Sequence, residues 1–298
     1  MKVVVECDLL VADGDVRIDG QLAYRDPVRS VFVNAQGRET RVFDLEGKTY
    51  AVCCEATVSD QQDKPHDEGK NEVQVSLQLI LAKYCLSEGN IIVNTYILEA
   101  MMMEKMMLLC KGLILHSSFI VHQGKSILFT APSGTGKSTQ AALWERYAEA
   151  EIINGDRSVV WYDEASQRFM SSGLPFCGSS GINKVRTVPL GAVVFIEQSP
   201  SNSVVAQSES VAARKLFGEM SINKWSPRFV ECSLDLINML VESVPMVHLR
   251  CNMEEDAVAT LREYMAHKDI NDINDFNGIN GINGINDIND PKSSNSHG

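Results

Sequence analysis

The sequence lacks the patterns that mark several classes of protein. It has no C-x-x-C pair and no histidine at zinc-ligand spacing, so its eight scattered cysteines predict reduced thiols rather than a zinc site or a disulfide framework. It also has no dense run of Lys or Arg, and its formal net charge is -12. A surface of that sign disfavours nucleic acids and anionic membranes as partners. Small molecules or proteins are the expected partners.

A long apolar run is absent as well. Met1–Leu10 has no basic start followed by an apolar stretch, so it predicts a first strand and not a signal peptide. The most apolar segment, Tyr96–Cys110, is interrupted by charged residues and is shorter than the roughly 20 residues that a bilayer crossing needs. We expect it to form a buried helix ended by Gly112, in a cytoplasmic protein with no membrane-spanning segment.

Periodicity and composition divide the chain into three parts. Residues 1–95 carry short alternating or apolar runs between Gly, Asp and Asn turns, which predicts a β-rich N-terminal region with an exposed polar loop over 59–71. Residues 96–267 mix strands with helices, which predicts an α/β catalytic domain. The helices expected in its second half are Ser208–Met220, Ser233–Val241 and Glu254–Ala266.

The end of the chain repeats a triplet. From Ile270 to Asp290, a unit of Ile or Phe, then Asn, then Asp or Gly occurs seven times. Isolated apolar side chains among Asn, Asp and Gly cannot form a packed core. We therefore expect residues 268–298 to be a low-complexity, disordered tail.

The strongest motif is a phosphate-binding loop (P-loop, or Walker A motif) at Ala131–Thr139. The segment reads A-P-S-G-T-G-K-S-T and matches G-x-x-x-x-G-K-[ST], with Ala in place of the first Gly. The pattern predicts a strand before it and a helix after it, which is the context that such a loop requires. The residues expected to bind the nucleotide are Ser133, Gly134, Thr135, Gly136, Lys137, Ser138 and Thr139.

The chemistry of this loop explains its residue types. The two glycines allow backbone dihedrals that direct successive N–H groups toward phosphate oxygens. Lys137 adds a positive charge for the β- and γ-phosphates, and the Ser138 hydroxyl is placed to ligate Mg2+. The positive end of the helix dipole favours the same anion.

A phosphoryl-transfer site also needs an acid near the metal. Asp156 follows an apolar strand and is the first candidate. Glu197, at the end of the apolar strand Gly191–Glu197, is the second, although simple solvation is an equal explanation for an acid at a strand end. Lys184 and Arg186 end a small-residue loop that could close over a phosphate or a peptide.

Several other side chains have an ordinary explanation beside a functional one. His116 lies among apolar residues, where a histidine taken alone is more often a hydrogen-bonded core residue than a catalytic one. Trp144, Trp161 and Tyr162 could stack on a nucleotide base, but large aromatics at such positions mostly belong to the core.

The motifs taken together resemble a known family. Leu115–Ser118, Gly124–Thr139 and Asn154–Arg157 are similar to segments of the C-terminal catalytic domain of HPr kinase/phosphorylase and of its phosphoenolpyruvate-carboxykinase-like relatives, and the similarity extends over about residues 110 to 266. This resemblance implies a P-loop in a mixed α/β sheet, binding of ATP with Mg2+, and phosphorylation of a Ser hydroxyl on a protein or peptide.

The resemblance also assigns roles to particular residues. It implies that Lys137 and Ser138 hold the phosphates and the metal, that His116 is an active-site histidine, and that Asp156 is the second of two adjacent acids. The sequence departs from the HPr kinase pattern at two positions. HPr kinases have an acid where this chain has Thr139, and an Asp pair where it has Gly and Asp156. One carboxylate must then serve both metal and hydroxyl, or one role is missing.

Three functions follow from these observations. The first is an ATP-dependent Ser kinase acting on a small protein or peptide, and the alternative is a catalytically weak ATP-binding regulatory module. Carboxykinase chemistry on oxaloacetate ranks last, because the sequence shows no further cationic and metal-binding residues for a small dicarboxylate. The resemblance admits a homo-oligomer without showing an interface, and the acceptor and the choice of ATP over GTP or pyrophosphate stay open.

Overall fold

The structure of the chain is a computed structural model that describes residues 2–13, 16–45, 48–60, 72–83, 99–178 and 180–280. Within these residues the chain forms a six-stranded sheet, an eight-stranded sheet and five α-helices. The predicted strand Ile91–Tyr96 and most of the predicted loop over 59–71 lie outside the described residues.

The N-terminal part of the chain forms the six-stranded sheet. Its strands are β1 (Lys2–Ala12), β2 (Gln21–Arg25), β3 (Arg29–Val33), β4 (Glu39–Leu45), β5 (Lys48–Asp60) and β6 (Glu72–Ala82). They lie in the order β1-β6-β5-β4-β3-β2, with β1 parallel to β6 and the other neighbours antiparallel. The short alternating runs of the sequence therefore correspond to strands that pair mostly with their neighbours along the chain.

A short helix, α1 (Met103–Leu109), packs between the two sheets. Met102 and Met106 join the hydrophobic core of the six-stranded sheet. Met103 and Met107 pack instead against a cluster of the eight-stranded sheet. The methionine-rich segment thus fills two cores, which suits the flexible, unbranched side chain of methionine.

This helix is shorter than the predicted helix Tyr96–Cys110. It begins after Met102, whose φ of 49° is left-handed. Its end also differs from the prediction, because Lys111, with a φ of 54°, makes the left-handed turn. Gly112 instead opens the next strand, where a Cβ would lie 3.0 Å from the Cβ of Trp161.

The second sheet is a mixed sheet. Its strands are β7 (Gly112–His122), β8 (Lys125–Thr130), β9 (Glu151–Asn154), β10 (Arg157–Asp163), β11 (Arg168–Gly173), β12 (Thr187–Gln198), β13 (Ser203–Ala206) and β14 (Met246–Cys251). The order is β11-β10-β7-β8-β12-β14-β13, and β9 pairs with β7. Strands β8, β12 and β14 are parallel, so their carboxyl ends share one edge of the sheet, where open α/β sheets bind ligands.

Four helices cover the two faces of this sheet. They are α2 (Lys137–Ala148), α3 (Glu209–Glu219), α4 (Pro227–Ser243) and α5 (Glu255–Asn280). Helices α3 and α4 share one hydrophobic cluster with Val193 and Phe195 of β12, whereas α2 and α5 share another with Val194 and Ile196. The class is therefore mixed α/β, with alternate residues of each central strand facing different helices. None of the described helices is both long and apolar enough to cross a membrane.

Two helices differ from the sequence-based predictions. Helix α4 begins six residues before the predicted Ser233, because Ser226 caps it by accepting a hydrogen bond from the amide of Phe229 and Pro227 occupies its first turn. Helix α5 continues to Asn280, although residues 268–298 were expected to be disordered. No proline interrupts this stretch, and the first glycine of the triplet repeat is Gly278. Residues 281–298 lie outside the described residues.

A buried charge network joins the two sheets. The guanidinium of Arg41, whose side chain is 0% exposed, pairs with Glu39 on the same strand and with Glu104 of α1. Asn223 donates a hydrogen bond of 2.9 Å to Glu104 from the α3–α4 loop (residues 220–226). Burial works against the charged form of Arg41, but the charges of Glu104 and Glu39 raise its pKa above the usual range. The network therefore fixes the sheets to each other only while both signs of charge are present.

We expect Arg41→Met to lower the free energy of unfolding by about 3–5 kcal/mol, because Glu104 loses its buried counter-ion and Glu39 keeps only Lys105, at 3.5 Å. The measurement is urea unfolding followed by circular dichroism. The control is Lys111→Met, which removes the same kind of side chain from the pair with Glu164, whose members are 56% and 70% exposed. The control should not change stability measurably, and equal effects of the two variants would contradict the role of the network.

Candidate functional site

The site is built on a glycine-rich loop (residues 131–136) between β8 and α2. Gly134 has a φ of 79° and Gly136 a φ of 108°, and an L side chain rarely adopts either value. Gly136 is also the N-cap of α2, and no side chain caps the first turn of that helix. The backbone amides of that turn therefore remain available to an anion, at the positive end of the helix dipole.

Lys137 opens α2 and folds back over the loop. Its Nζ donates hydrogen bonds to the carbonyl oxygens of Ala131, at 2.7 Å, and of Pro132, at 3.3 Å. The residue is 6% exposed. Burial lowers the pKa of Lys137, and the charges of Glu219 and Asp156 oppose that change. A cation is thus held inside the loop, with two acids in its field.

A tight turn after β9 presents the candidate acid. The buried side chain of Asn154 accepts hydrogen bonds from the amides of Asp156, at 2.9 Å, and Arg157, at 3.0 Å. Its Nδ2 donates to the carbonyl oxygens of Leu174, at 3.2 Å, and Phe176, at 2.7 Å. This one carboxamide therefore sets the conformation of the turn and attaches it to the chain that follows β11.

His116 lies between two carboxylates. Its Nδ1 is 3.2 Å from Oε2 of Glu219, and its Nε2 is 3.7 Å from Oδ1 of Asp156. The carboxylate of Glu219 can only accept, so the shorter contact assigns the Nδ1 proton to His116 and leaves Nε2 facing Asp156. Burial and the charge of Lys137 lower the pKa of His116, while Asp156 and Glu219 raise it.

Glu219 is the residue that the sequence analysis missed. It is the last residue of α3, a position where a negative charge is disfavoured by the helix dipole. The chain after it is fixed to β7, because Met220 forms a bridge with Leu115 and the amide of Ser221 donates to the carbonyl of Ile114 at 2.9 Å. An unfavourable acid at a helix end is the only signal in the sequence that could have indicated it.

The hydroxyl of Ser138 lies beside the Asp156 turn. Ser138 Oγ donates to the carbonyl of Gly155 at 3.4 Å, and Ser118 Oγ donates to the same carbonyl at 3.2 Å. The Asp156 side chain is 29% exposed. The exposed hydroxyl of Ser138 and the carboxylate of Asp156 are hard oxygen ligands of the kind that Mg2+ prefers. The described residues contain no group of three or more His, Cys, Asp or Glu side chains arranged for a metal.

Glu197, the second candidate acid, faces away from the glycine-rich loop. Its carboxylate pairs with His248, at 3.1 Å, and Arg250, at 3.2 Å, on the neighbouring strand. The strand alternates, and it is Gln198 that faces the loop, with its Nε2 donating to the carbonyl of Thr135 at 3.3 Å. The assignment of Glu197 to the metal is therefore not supported by its position.

Lys184 and Arg186 are not brought to the loop either. Both pair with Glu151, at the start of β9, whereas the Asp156 turn follows its end. Other parts of the same loop do approach the turn. A Cβ on Gly178 would lie 2.9 Å from Cγ of Asp156. The small residues of the loop, and not its cations, line the candidate acid.

The three candidate aromatic residues pack against residues outside the glycine-rich loop. Trp144 is 0% exposed and packs against Phe129 and His122. Trp161 donates to Ser172, and Tyr162 packs on a phenylalanine of β11. No aromatic stacking site for a base is formed by these residues.

Sequence comparison now identifies the family. The family model described as SynChlorMet cassette protein ScmC matches residues 83–254, more than half of the 298 residues. The chain belongs to this family. The ScmC match contains the glycine-rich loop, His116, Asp156 and Glu219, and it leaves out residues 1–82. The candidate site therefore lies within the residues that match the ScmC family model.

Comparisons with characterised proteins add little to the ScmC assignment. No curated protein matches the chain. The solved structure of the Hpr(Ser) kinase/phosphatase from Coxiella burnetii aligns with 57% of this chain and 98% of that chain, at 11% identity and a TM-score of 0.33. A likeness of this degree does not establish a shared activity.

We expect Asn154→Ala to lower the free energy of unfolding by about 1–3 kcal/mol, because it leaves buried backbone groups in the turn and after β11 without hydrogen-bond partners. Chemical denaturation is the measurement. Asn183→Ala is the matched control, since Asn183 is exposed and donates one hydrogen bond, to the carbonyl of Pro175. If the two variants lose the same stability, Asn154 does not organise the site.

Proposed function

We propose that this protein transfers a phosphoryl group from ATP to a Ser hydroxyl of a small protein or peptide. The proposal is carried by one observation. Asp156, the His116–Glu219 pair and the buried ammonium of Lys137 surround the same helix N-terminus, at the carboxyl edge of a mixed sheet. An anion-binding backbone, a cation and a proton acceptor are the parts that phosphoryl transfer needs.

The phosphate-binding role falls to the backbone and to Lys137. The uncapped first turn of α2 offers amides to phosphate oxygens, and the two left-handed glycines keep the loop free of Cβ atoms. Lys137 now donates to two loop carbonyls, so binding of a triphosphate exchanges those neutral acceptors for charged ones. Charged acceptors form the stronger hydrogen bonds, which favours the exchange.

Ser138 and Asp156 are the residues that would hold Mg2+. Both offer oxygen atoms at the Gly155 turn, and Mg2+ in nucleotide sites is usually held by one or two protein ligands and the phosphates. When bound, the ion neutralises charge on the phosphates. The pair of side chains is therefore sufficient in number and in chemical type.

Asp156 also serves as the proton acceptor. As the Ser oxygen forms its bond to the γ-phosphorus and the bond to the bridging oxygen breaks, Asp156 takes the hydroxyl proton and ADP is the leaving group. His116 Nε2 faces the same carboxylate and can share that proton, and Glu219 holds the opposite ring nitrogen. The His116–Glu219 pair thereby supplies a second acceptor where the resemblance to HPr kinases would require a second adjacent acid.

A second candidate is a regulatory module that binds ATP with little chemistry. It is favoured by the contact of the 178–186 loop with the Asp156 turn, where Asn183 forms a bridge with Asn154 and Gly178 packs on Asp156. Binding of ATP to the glycine-rich loop could then order the 178–186 loop and change the surface that it presents to a partner. The two candidates differ in whether Asp156 is needed for the biological effect.

We expect Asp156→Asn to lower the rate of phosphoryl transfer by about 10²- to 10⁴-fold, because the amide cannot accept the hydroxyl proton. The assay incubates the protein with ATP, Mg2+ and the products of neighbouring small open reading frames, and mass spectrometry detects the added phosphoryl group. The matched control is Asp163→Asn, at the end of β10, which should leave the rate unchanged.

Lys137→Ala tests the phosphate-binding role of the glycine-rich loop. It should abolish both ATP binding and transfer, because the loop loses its buried cation. ATP binding with no transfer to any peptide, and normal function of Asp156→Asn, would refute the kinase and favour the regulatory module.

A further inference from the structure

A cavity of 410 Å³ opens beside the glycine-rich loop. Thr135 and Thr139 form its wall on the loop side, and Gln198, Asn252 and Met253 form the opposite wall at the ends of β12 and β14. Its volume falls in the range of about 300–1,000 Å³ that is typical of small-molecule sites. The proposed transfer chemistry uses none of these three opposite residues.

The cavity lies on one side of the phosphate-binding backbone and the acids lie on the other. Ser138 is turned toward Gly155 and the Asp156 turn, whereas Thr139 and Gln140, the next two residues of α2, line the cavity. A triphosphate whose terminal phosphate is at Asp156 therefore has its nucleoside end toward the cavity. The space is continuous with the loop, so the same molecule can occupy both.

The floor of the cavity is rigid. Gln140 is 2% exposed, and its Nε2 donates to the carbonyl of Asn252 at 3.0 Å and to Sγ of Cys251 at 3.2 Å. Burial raises the pKa of the Cys251 thiol to about 11, so this thiol stays protonated and unreactive at neutral pH. The backbone of Asn252 is thus fixed to α2 by its hydrogen bond with Gln140.

Two amide side chains on the walls have one polar atom engaged and one free. Gln198 Nε2 donates to the carbonyl of Thr135, and Asn252 Oδ1 accepts from the amide of Glu254 at 3.1 Å. These partners fix the orientation of both amides. Among the residues that the structure describes, no group donates to Gln198 Oε1 and no group accepts from Asn252 Nδ2. Gln198 and Asn252 therefore offer the cavity one hydrogen-bond acceptor and one donor, beside the buried and unpartnered Oε1 of Gln140 in its floor.

An acceptor beside a donor is complementary to adenine. Adenine presents its N6 amino donor next to a ring-nitrogen acceptor on either edge. Guanine presents two acceptors on its N7 edge, and it has a neighbouring acceptor and donor, O6 and N1–H, on its Watson–Crick edge alone. Stacking comes from Met253 and not from an aromatic ring. Met253 is 71% exposed at the cavity mouth, and a thioether makes favourable contacts with aromatic rings.

We infer that this cavity binds the adenosine part of ATP, with Gln198 and Asn252 reading the base and Met253 covering it. The inference rests on the proposed function, since it assumes a triphosphate on the glycine-rich loop. It adds a selectivity for ATP over GTP that the motif does not contain, and it assigns that selectivity to the ends of β12 and β14.

The test compares three ligands that share a triphosphate: ATP, GTP and inorganic tripolyphosphate, measured by isothermal titration calorimetry with Mg2+. The unaltered protein should bind ATP more tightly than GTP and tripolyphosphate. Met253→Ala should weaken ATP binding by about 2- to 10-fold and leave tripolyphosphate binding unchanged. The matched control is Val205→Ala, which truncates another exposed apolar side chain, on β13, and should change neither affinity.

A second variant tests the reading of the base. Asn252→Asp keeps the oxygen that accepts from Glu254 and replaces the free donor with an acceptor, so the cavity would match the donors on the Watson–Crick edge of guanine. The ratio of ATP to GTP affinity should fall by about 5-fold or more. The added charge acts equally on both triphosphates and cancels in this ratio.

The outcomes separate this inference from the proposed function. If ATP binds but Met253→Ala weakens ATP and tripolyphosphate equally, or Asn252→Asp leaves the ratio unchanged, the adenosine site is refuted and the phosphate site is not. If the unaltered protein binds tripolyphosphate as tightly as ATP, the base is not recognised and the inference is likewise refuted. If none of the three ligands binds, both proposals fail.

Discussion

The conformation of the site depends on one buried carboxamide. Asn154 saturates its oxygen and its amino group with four backbone partners, two within its own turn and two beyond β11. Such a buried amide stabilises the folded protein mainly because its removal would leave buried backbone groups without hydrogen-bond partners. Through it, the turn that carries Asp156 and the chain leading to Gly178 share one anchor. That anchor stabilises the conformation of the turn in which the acid faces His116.

Much of the fold could be predicted from local patterns. The sequence around Ser126–Ala148 specifies strand, loop and helix because apolar periodicity, two glycines and a helix start coincide there. Elements with weak local signals were missed, such as β13, which is exposed along most of its length. Helix α4 was predicted too short because the Ser226 and Pro227 start signal was not used.

The site was predictable where its residues are close in sequence. Lys137 and Ser138 belong to one motif, Asp156 was proposed because it follows an apolar strand, and His116 was assigned by resemblance. Glu219 was not found, because it is 103 residues from His116 and only the folded chain places them together. The side chain of Glu197, the second-choice acid, pairs with His248 and Arg250 and does not face the glycine-rich loop. A one-residue difference reverses the direction of a side chain in a strand, and the end of an apolar run does not define which residue faces the ligand.

The α3–α4 loop contacts both sheets. Its first residues follow Glu219 and pair with β7, while Asn223 reaches Glu104 and Trp225 lies under Arg29 and Arg41, at 5.3 and 5.4 Å from the ring centre. A displacement of the six-stranded sheet would therefore pull on the segment that orients His116. The sheet and the site are therefore thermodynamically linked. A ligand that stabilises the conformation of the site also stabilises the packing of the six-stranded sheet, and the reverse holds equally.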